Sequence, residues 1–242
     1  MPSRILIADK GRKFFVKDIS KDYHCQFGFV SAKDLKRKSG KVSTNTGKEL
    51  HIFEPSFIDV YRKIRRDAQI VAQKDIGLII AETGLNSKSI AVDAGAGSGA
   101  MCCFLANIAK KVTAYEIRED FFQVVRKNIE FLGLKNITLK NGDIYKGIDE
   151  KNVDLVTLDL PEPWKVIDHA SKALKNGGFL VSYSPSVPQM ADFVNALHAR
   201  DDFVHVKTIE IIERSWEVAE RKVRPMSRMI GHTGYLSFAR RV

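Results

Sequence analysis

Cysteine is scarce in this 242-residue chain, which has three: Cys25 and the neighbours Cys102 and Cys103. An odd count without C-x-x-C or Cys/His spacing excludes a disulfide framework and a thiolate zinc site, so no metal is expected. Long apolar runs are also lacking. Nothing approaches the roughly 20 residues that span a bilayer, and the opening MPSRILIADKGRK has no apolar core of a secretory leader. The expected setting is cytoplasmic, with no membrane partner. Repeats and low-complexity segments are absent as well. What remains is an ordinary globular composition, 44% hydrophobic and 28% charged, enough to bury a real core.

Acidic residues are in deficit, 29 against 39 Lys and Arg, and the resulting charge of +10 is unevenly placed. Residues 1–66 carry 16 basic and 7 acidic groups, residues 67–213 carry 16 and 20, and residues 214–242 carry 7 and 2. The balances are +9, −4 and +5. Basic ends around an acidic middle suit a polyanionic partner, against the plainer reading of a solvated basic surface.

Short strand-like runs (RILIAD, KFFVKD, CQFGFV, ELHIFE) separated by charged or glycine-containing turns fill the first 60 residues and predict a small β-rich domain over 1–60. Val60, Ile64 and Ala68 can share one helical face, which predicts a helical linker over 61–73. From 74 to 242 the pattern alternates helices with β-branched strands: SIAVDA, KVTAYE, NITLKN, VDLVTLD and GFLVSY. This predicts an α/β fold with a parallel sheet covered by helices on both faces. VHVKTIEIIER and HTGYLSFAR follow a last helix with no helix between them, which predicts an antiparallel edge.

One strand runs into VDAGAGSGA, with Gly95, Gly97 and Gly99 in the turn. Such glycines let backbone approach a nucleotide-like ligand, and the N–H groups from Ser98 through Gly99 and Ala100 to Met101 can meet its carboxylate end. The spacing also satisfies the loose dinucleotide pattern G-x-G-x-x-G/A, so a NAD-dependent enzyme must be considered. Asp93 ahead of the turn, and Glu116, Asp143 and Asp159 at successive strand ends, shift the balance to S-adenosylmethionine. Glu116 is placed for the ribose hydroxyls and Asp143 for an adenine amine.

Asp159 is followed by Leu160-Pro161-Glu162-Pro163-Trp164. The prolines remove donors and stiffen the loop, which is expected to leave carbonyls open to an amine-bearing planar substrate. Methyl transfer needs alignment more than covalent catalysis. With adenine N1 as acceptor the product is cationic, and Asp159 is the carboxylate placed to stabilise it. Trp164 reads either as a base-stacking group or, more commonly, as packing.

QIVAQKD (69–75), VDAGAGSGA (92–100), YEIRED (115–120), DIYKGI (143–148), LDLPEP (158–163) and RPMSRMIGHTGYLSFARR (224–241) together resemble the tRNA (adenine-N1)-methyltransferases acting at tRNA position 58. The resemblance runs over essentially the whole chain. It implies a class I S-adenosylmethionine-dependent, Rossmann-like catalytic domain and cofactor contacts from Ser98, Gly99, Ala100, Met101, Glu116, Phe121, Asp143, Ile144 and Asp159. It further implies tRNA as partner, a homotetramer, and archaeal members that also methylate position 57. Arg65, Arg66, Arg224 and Arg228 are the candidate RNA contacts, and His232 faces either the base pocket or the protein. One departure stands out: the family commonly has an aromatic or His followed by Pro where this chain has Ala72 and Gln73. The competing readings are methylation of a protein isoaspartate or a corrinoid precursor on the same fold, and a non-catalytic tRNA-binding subunit.

Overall fold

The structure, a computed structural model, describes residues 3–242; the first two residues of the stretch read for a leader lie outside it. The chain divides into two compact units, Met1–Ile64 and Arg65–Val242.

In the first unit, β1 (Arg4–Ile7), β2 (Lys13–Val16), β5 (Ser39–Ser43) and β6 (Glu49–Phe53) form an antiparallel sheet in the order β2-β1-β6-β5. β3 (Tyr23–Cys25) and β4 (Gly28–Val30) make a separate hairpin. Two one-turn helices follow strands, α1 (Ala32–Leu35) and α2 (Phe57–Tyr61). Alternation puts Leu50 and Ile52 on the buried face of β6, where they meet Leu6, Val16, Val30, Leu35 and Val42.

The helical linker expected over 61–73 is a correction. α2 ends at Tyr61 and α3 (Gln73–Thr83) begins at Gln73, with no helix between them. The backbone of residues 65–68 is claimed instead by side chains distant in sequence. Asn128 Oδ1 accepts from the Arg65 N–H at 2.9 Å, Asn128 Nδ2 donates to the Arg65 carbonyl at 2.9 Å, and Ser98 Oγ accepts from the N–H groups of Asp67 and Ala68. Those bonds replace the intrahelical ones, so the apolar spacing loses its force.

The second unit is built on β7 (Ile90–Ala94), β8 (Lys111–Glu116), β9 (Ile137–Asn141), β10 (Val153–Leu158), β11 (Leu174–Ser184), β12 (Phe203–Glu210) and β15 (Tyr235–Arg241), in the order β12-β15-β11-β10-β7-β8-β9. β7 to β11 pair in parallel; β15 runs antiparallel between β11 and β12. The parallel strands read as near-continuous apolar runs because the connecting α4 (Ala100–Ala106), α5 (Glu119–Leu132), α6 (Ile167–Ala173) and α7 (Val187–His198) accompany them. α3 and α5 stop where Gly84 and Gly133 take left-handed conformations. Between β12 and β15 lies a hairpin absent from the sequence reading, β13 (Trp216–Ala219) with β14 (Lys222–Pro225). Its turn places Glu220 at φ 52° and contains no Gly or Asn, so the usual hairpin signal is missing.

Phe193 of α7 is fully buried in the cluster that includes Leu158, Leu180, Leu197 and Phe203. Phe193→Ala is expected to cost about 3–5 kcal/mol of stability in a denaturant titration, since it leaves a cavity the sheet cannot close.

Candidate active site

The carboxyl ends of β7, β8, β9 and β10 meet at one edge of the parallel sheet, where the strand order reverses. Gly95, Gly97 and Gly99 all have positive φ, at 79°, 55° and 78°. A Cβ on Gly95 would stand 2.0 Å from the Asp159 carbonyl oxygen, so this glycine is required by the protein's own backbone as well as by any ligand. The Asp159 N–H donates to the Ala94 carbonyl at 2.9 Å and closes the junction.

Glu116 is buried and braces the turn: one carboxylate oxygen accepts from the Gly97 N–H at 2.7 Å, the other from the Arg118 N–H at 2.9 Å. Its remaining lone pairs suit the two hydroxyls of a ribose. The Gly142 N–H donates to the Glu116 carbonyl at 3.1 Å and draws the next loop in. There Asp143 caps a short 3-10 turn, accepting from the Tyr145 N–H at 3.0 Å, and lines a cleft with Tyr115, Gly142 and Gly147. Ile144 is buried in the core cluster rather than in the lining of the cleft. Phe121 is half-buried under the Arg118 guanidinium, 4.0 Å from the ring centre. Ala100 and Met101 form the buried first turn of α4. Ser98 is buried by its bonds to residues 67 and 68, so its side chain acts as a brace. Glycines that admit close approach, a paired acceptor in Glu116 and a second acidic wall in Asp143 fit S-adenosylmethionine.

Two carboxyl groups are held unusually basic. Burial pushes Asp93 to about 7, against the lowering effect of its 2.7 Å bond from Thr157. Burial alone pushes Asp159 to about 6. Because both folded values exceed the ordinary 3.8, ionising these groups costs stability as pH rises through this window. The sheet bears that cost to keep carboxylates at a ligand edge.

The proline loop departs from the open arrangement expected of it. The carbonyls of Leu160 and Pro161 are not left open: Gln189 Nε2 donates to both, at 2.6 and 2.8 Å. The Tyr145 hydroxyl accepts from the Glu162 N–H at 3.1 Å and ties this loop to the one after β9. Trp164 packs against the central core. The loop is therefore a rigid shelf for the Asp159 side chain.

A cavity of about 700 Å³ has a lining that includes Arg66, Gln73, Lys74, Arg228 and His232. Lys74 Nζ bonds Asp75 and Thr233, each at 2.7 Å, and Thr233 Oγ1 donates to the fully buried Asp75 at 3.0 Å. The Tyr183 hydroxyl donates to the Thr233 carbonyl. Burial, together with the charges of Asp75 and Asp159, pushes that hydroxyl up to about 12. Of the basic candidates, Arg66, Arg228 and His232 come together here. Arg65 instead pairs with Asp67 at 2.6 Å, and Arg224 pairs with Glu217 across the β13–β14 hairpin. Both ring nitrogens of His232 are engaged, by Glu210 at 2.6 Å and the Pro185 carbonyl at 2.9 Å, and the Glu210 bond raises its pKa.

Asn128, Gln189, Tyr183 and the Lys74–Asp75–Thr233 cluster escaped the sequence reading. Lys74, Asp75 and Thr233 sit inside motifs that carried the resemblance; Asn128 and Gln189 occupy otherwise ordinary helices and leave no local signal.

This strand order, with a glycine turn after its first parallel strand and acidic groups along the same edge, defines a class I S-adenosylmethionine-dependent methyltransferase. The match to the family described as tRNA methyltransferase complex GCD14 subunit covers residues 61–224, and the chain belongs to that family. It is 35% identical to the tRNA (adenine(57)-N(1)/adenine(58)-N(1))-methyltransferase TrmI of Methanocaldococcus jannaschii, over 98% of this chain and 94% of the relative. It is 31% identical to the tRNA (adenine(58)-N(1))-methyltransferase TrmI of Thermus thermophilus, over 99% and 97%. Among solved structures, a SAM-dependent O-methyltransferase from Thermotoga maritima superposes with a TM-score of 0.88 at 32% identity, covering 100% of this chain and 93% of that one.

Gly95→Ala forces a Cβ into the Asp159 carbonyl at a positive φ, whereas Gly133→Ala meets open space at a similar φ. Gly95→Ala is expected to cost at least about 2 kcal/mol in denaturant unfolding and to abolish S-adenosylmethionine binding in calorimetry. Gly133→Ala should cost about 1 kcal/mol and leave binding intact.

Proposed function

We propose that this chain transfers a methyl group from S-adenosylmethionine to N1 of adenosine 58 in the T-loop of tRNA. The observation that carries the reading is the buried Asp159 carboxyl, held by the Gly95 contact at the strand-end edge that also carries the glycine turn and Glu116. The bound cofactor supplies an electrophilic methyl on a sulfonium. Adenine N1 carries a free lone pair at neutral pH, so no base is needed to create the nucleophile. Transfer makes the ring cationic, and the ionised Asp159 stabilises that charge as it develops. The proline shelf holds the carboxylate still while the charge forms.

Catalysis and cofactor binding belong to residues 74–242 in this reading, with the β-rich N-terminal domain adding RNA contacts. Lys36–Lys41, Arg62–Arg66 and Arg221–Arg228 supply phosphate contacts whose strength falls as salt rises. The target adenine must leave the folded T-loop, at a cost of a few kcal/mol that backbone contacts offset. The cytoplasm, where tRNA is available, is the proposed compartment.

Labelled methyl should enter an unmodified tRNA transcript and vanish when adenosine 58 is replaced, and primer-extension stops map the methyl among positions 57 and 58. The rate constant kcat should rise with pH through about 6 as Asp159 ionises. Asp159→Asn should flatten that profile and lower kcat by about 100-fold, with cofactor affinity largely kept. An unaltered profile in Asp159→Asn would remove the assigned role.

We further infer a homotetramer. Trp216, Val218, Val223, Met229 and Ile230 are exposed on or near the β13–β14 hairpin, Val218 at 72%, more apolar surface than a lone soluble chain usually shows in one place. Other copies of the chain cover it. Val218→Glu is expected to lower the mass measured by light scattering while leaving the far-UV spectrum unchanged.

A further inference from the structure

The cavity lined by Arg66, Lys74, Arg228 and His232 has one wall that the proposed chemistry leaves unused. Gln73 lines it from the first position of α3, and its Nε2 is shielded from solvent without a hydrogen-bond partner. A buried amide donor left unpaired is costly unless something fills the space and accepts from it. Its neighbours are already committed. Lys74 is held by Asp75 and Thr233, and both nitrogens of His232 are engaged. Among the described residues lining the cavity, Gln73 alone presents a buried polar side-chain atom without a partner.

A primary amide offers a donor and an acceptor side by side. Adenine matches that pair on its Hoogsteen edge, where N7 accepts and the N6 amine donates. The same edge of guanine shows two acceptors and would set O6 against the amide oxygen. Methylation at N1 turns the Watson–Crick edge toward the methyl donor and Asp159, which leaves the Hoogsteen edge to face another wall. Resting on the function proposed above, we propose that Gln73 is a specificity-determining residue that reads N7 and N6 of the target adenine.

The test compares two tRNA transcripts, one with adenosine and one with 7-deazaadenosine at the target position, using the full chain. The deaza base keeps N1 and N6 and loses the N7 acceptor. For the unaltered enzyme kcat/KM should fall about 10-fold on the deaza substrate, as expected for the loss of one good base contact. Gln73→Leu should lose a similar factor on adenosine and show no further loss on 7-deazaadenosine. Gln73→Pro provides a second variant that the fold accepts, because proline suits the first helical position and Ala72 already has φ −68° and ψ 151°. It should behave like Gln73→Leu, and filter binding should show unchanged tRNA affinity for both. Equal rates of the unaltered enzyme on the two transcripts would overturn the proposal, as would losses that multiply when variant and deaza base are combined. Failure to methylate adenosine at all would count against the proposed function instead.

Discussion

The contact between Gly95 and the backbone of Asp159 is the constraint on which the site depends. β7 and β10 are neighbours, the Ala94 carbonyl accepts from the Asp159 N–H, and no Cβ fits at Gly95. That junction joins the glycine turn, proposed to approach the cofactor, to the shelf that carries Asp159, the proposed chemical carboxylate. In the proposed function, backbone hydrogen bonding in the sheet would set the spacing between methyl donor and acceptor, so that alignment for transfer would need little side-chain adjustment.

A second layer of bonds extends this rigidity outward. Glu116 holds the Gly97 N–H, Asn128 and Ser98 hold the extended stretch at 65–68, Tyr145 holds the Glu162 N–H, and Gln189 holds the Leu160 and Pro161 carbonyls. Loops would otherwise be the mobile part of such a fold. Here successive loops are stitched to each other and to α5 and α7 by side-chain hydrogen bonds. The cost is electrostatic: Asp93 and Asp159 are both held well above the usual carboxylate range by burial. That cost suits the role proposed for Asp159, since a carboxylate with few competing partners interacts strongly with a cation forming beside it.

Much of the architecture was readable from the chain because its parallel strands are buried on both faces. SIAVDA, KVTAYE and VDLVTLD read as continuous apolar runs, and the acidic residues at or just beyond strand ends mark the ligand edge. The same reading failed at residues 61–73, where apolar spacing suggested a helix and side chains of α5 and the glycine turn took the backbone instead. It missed the 216–225 hairpin, whose turn carries a non-glycine residue at positive φ. It also left the proline-loop carbonyls open, because Gln189 lies about 30 residues away in a different helix.

The sequence by itself determined the fold class, the glycine turn, the acidic series and the resemblance to adenine-N1 methyltransferases of tRNA, since each depends on local spacing or on motifs within a few residues. Tertiary structure alone decided which groups meet. It separated Arg66, Arg228 and His232 at the cavity from Arg65 and Arg224 in surface pairs, gave Glu116 its bracing role, and left Nε2 of Gln73, a residue of the cavity lining, buried and unpaired. Such facts arise from crossings between segments far apart in the chain, where hydrogen-bond partners and burial are fixed by packing that no local pattern encodes.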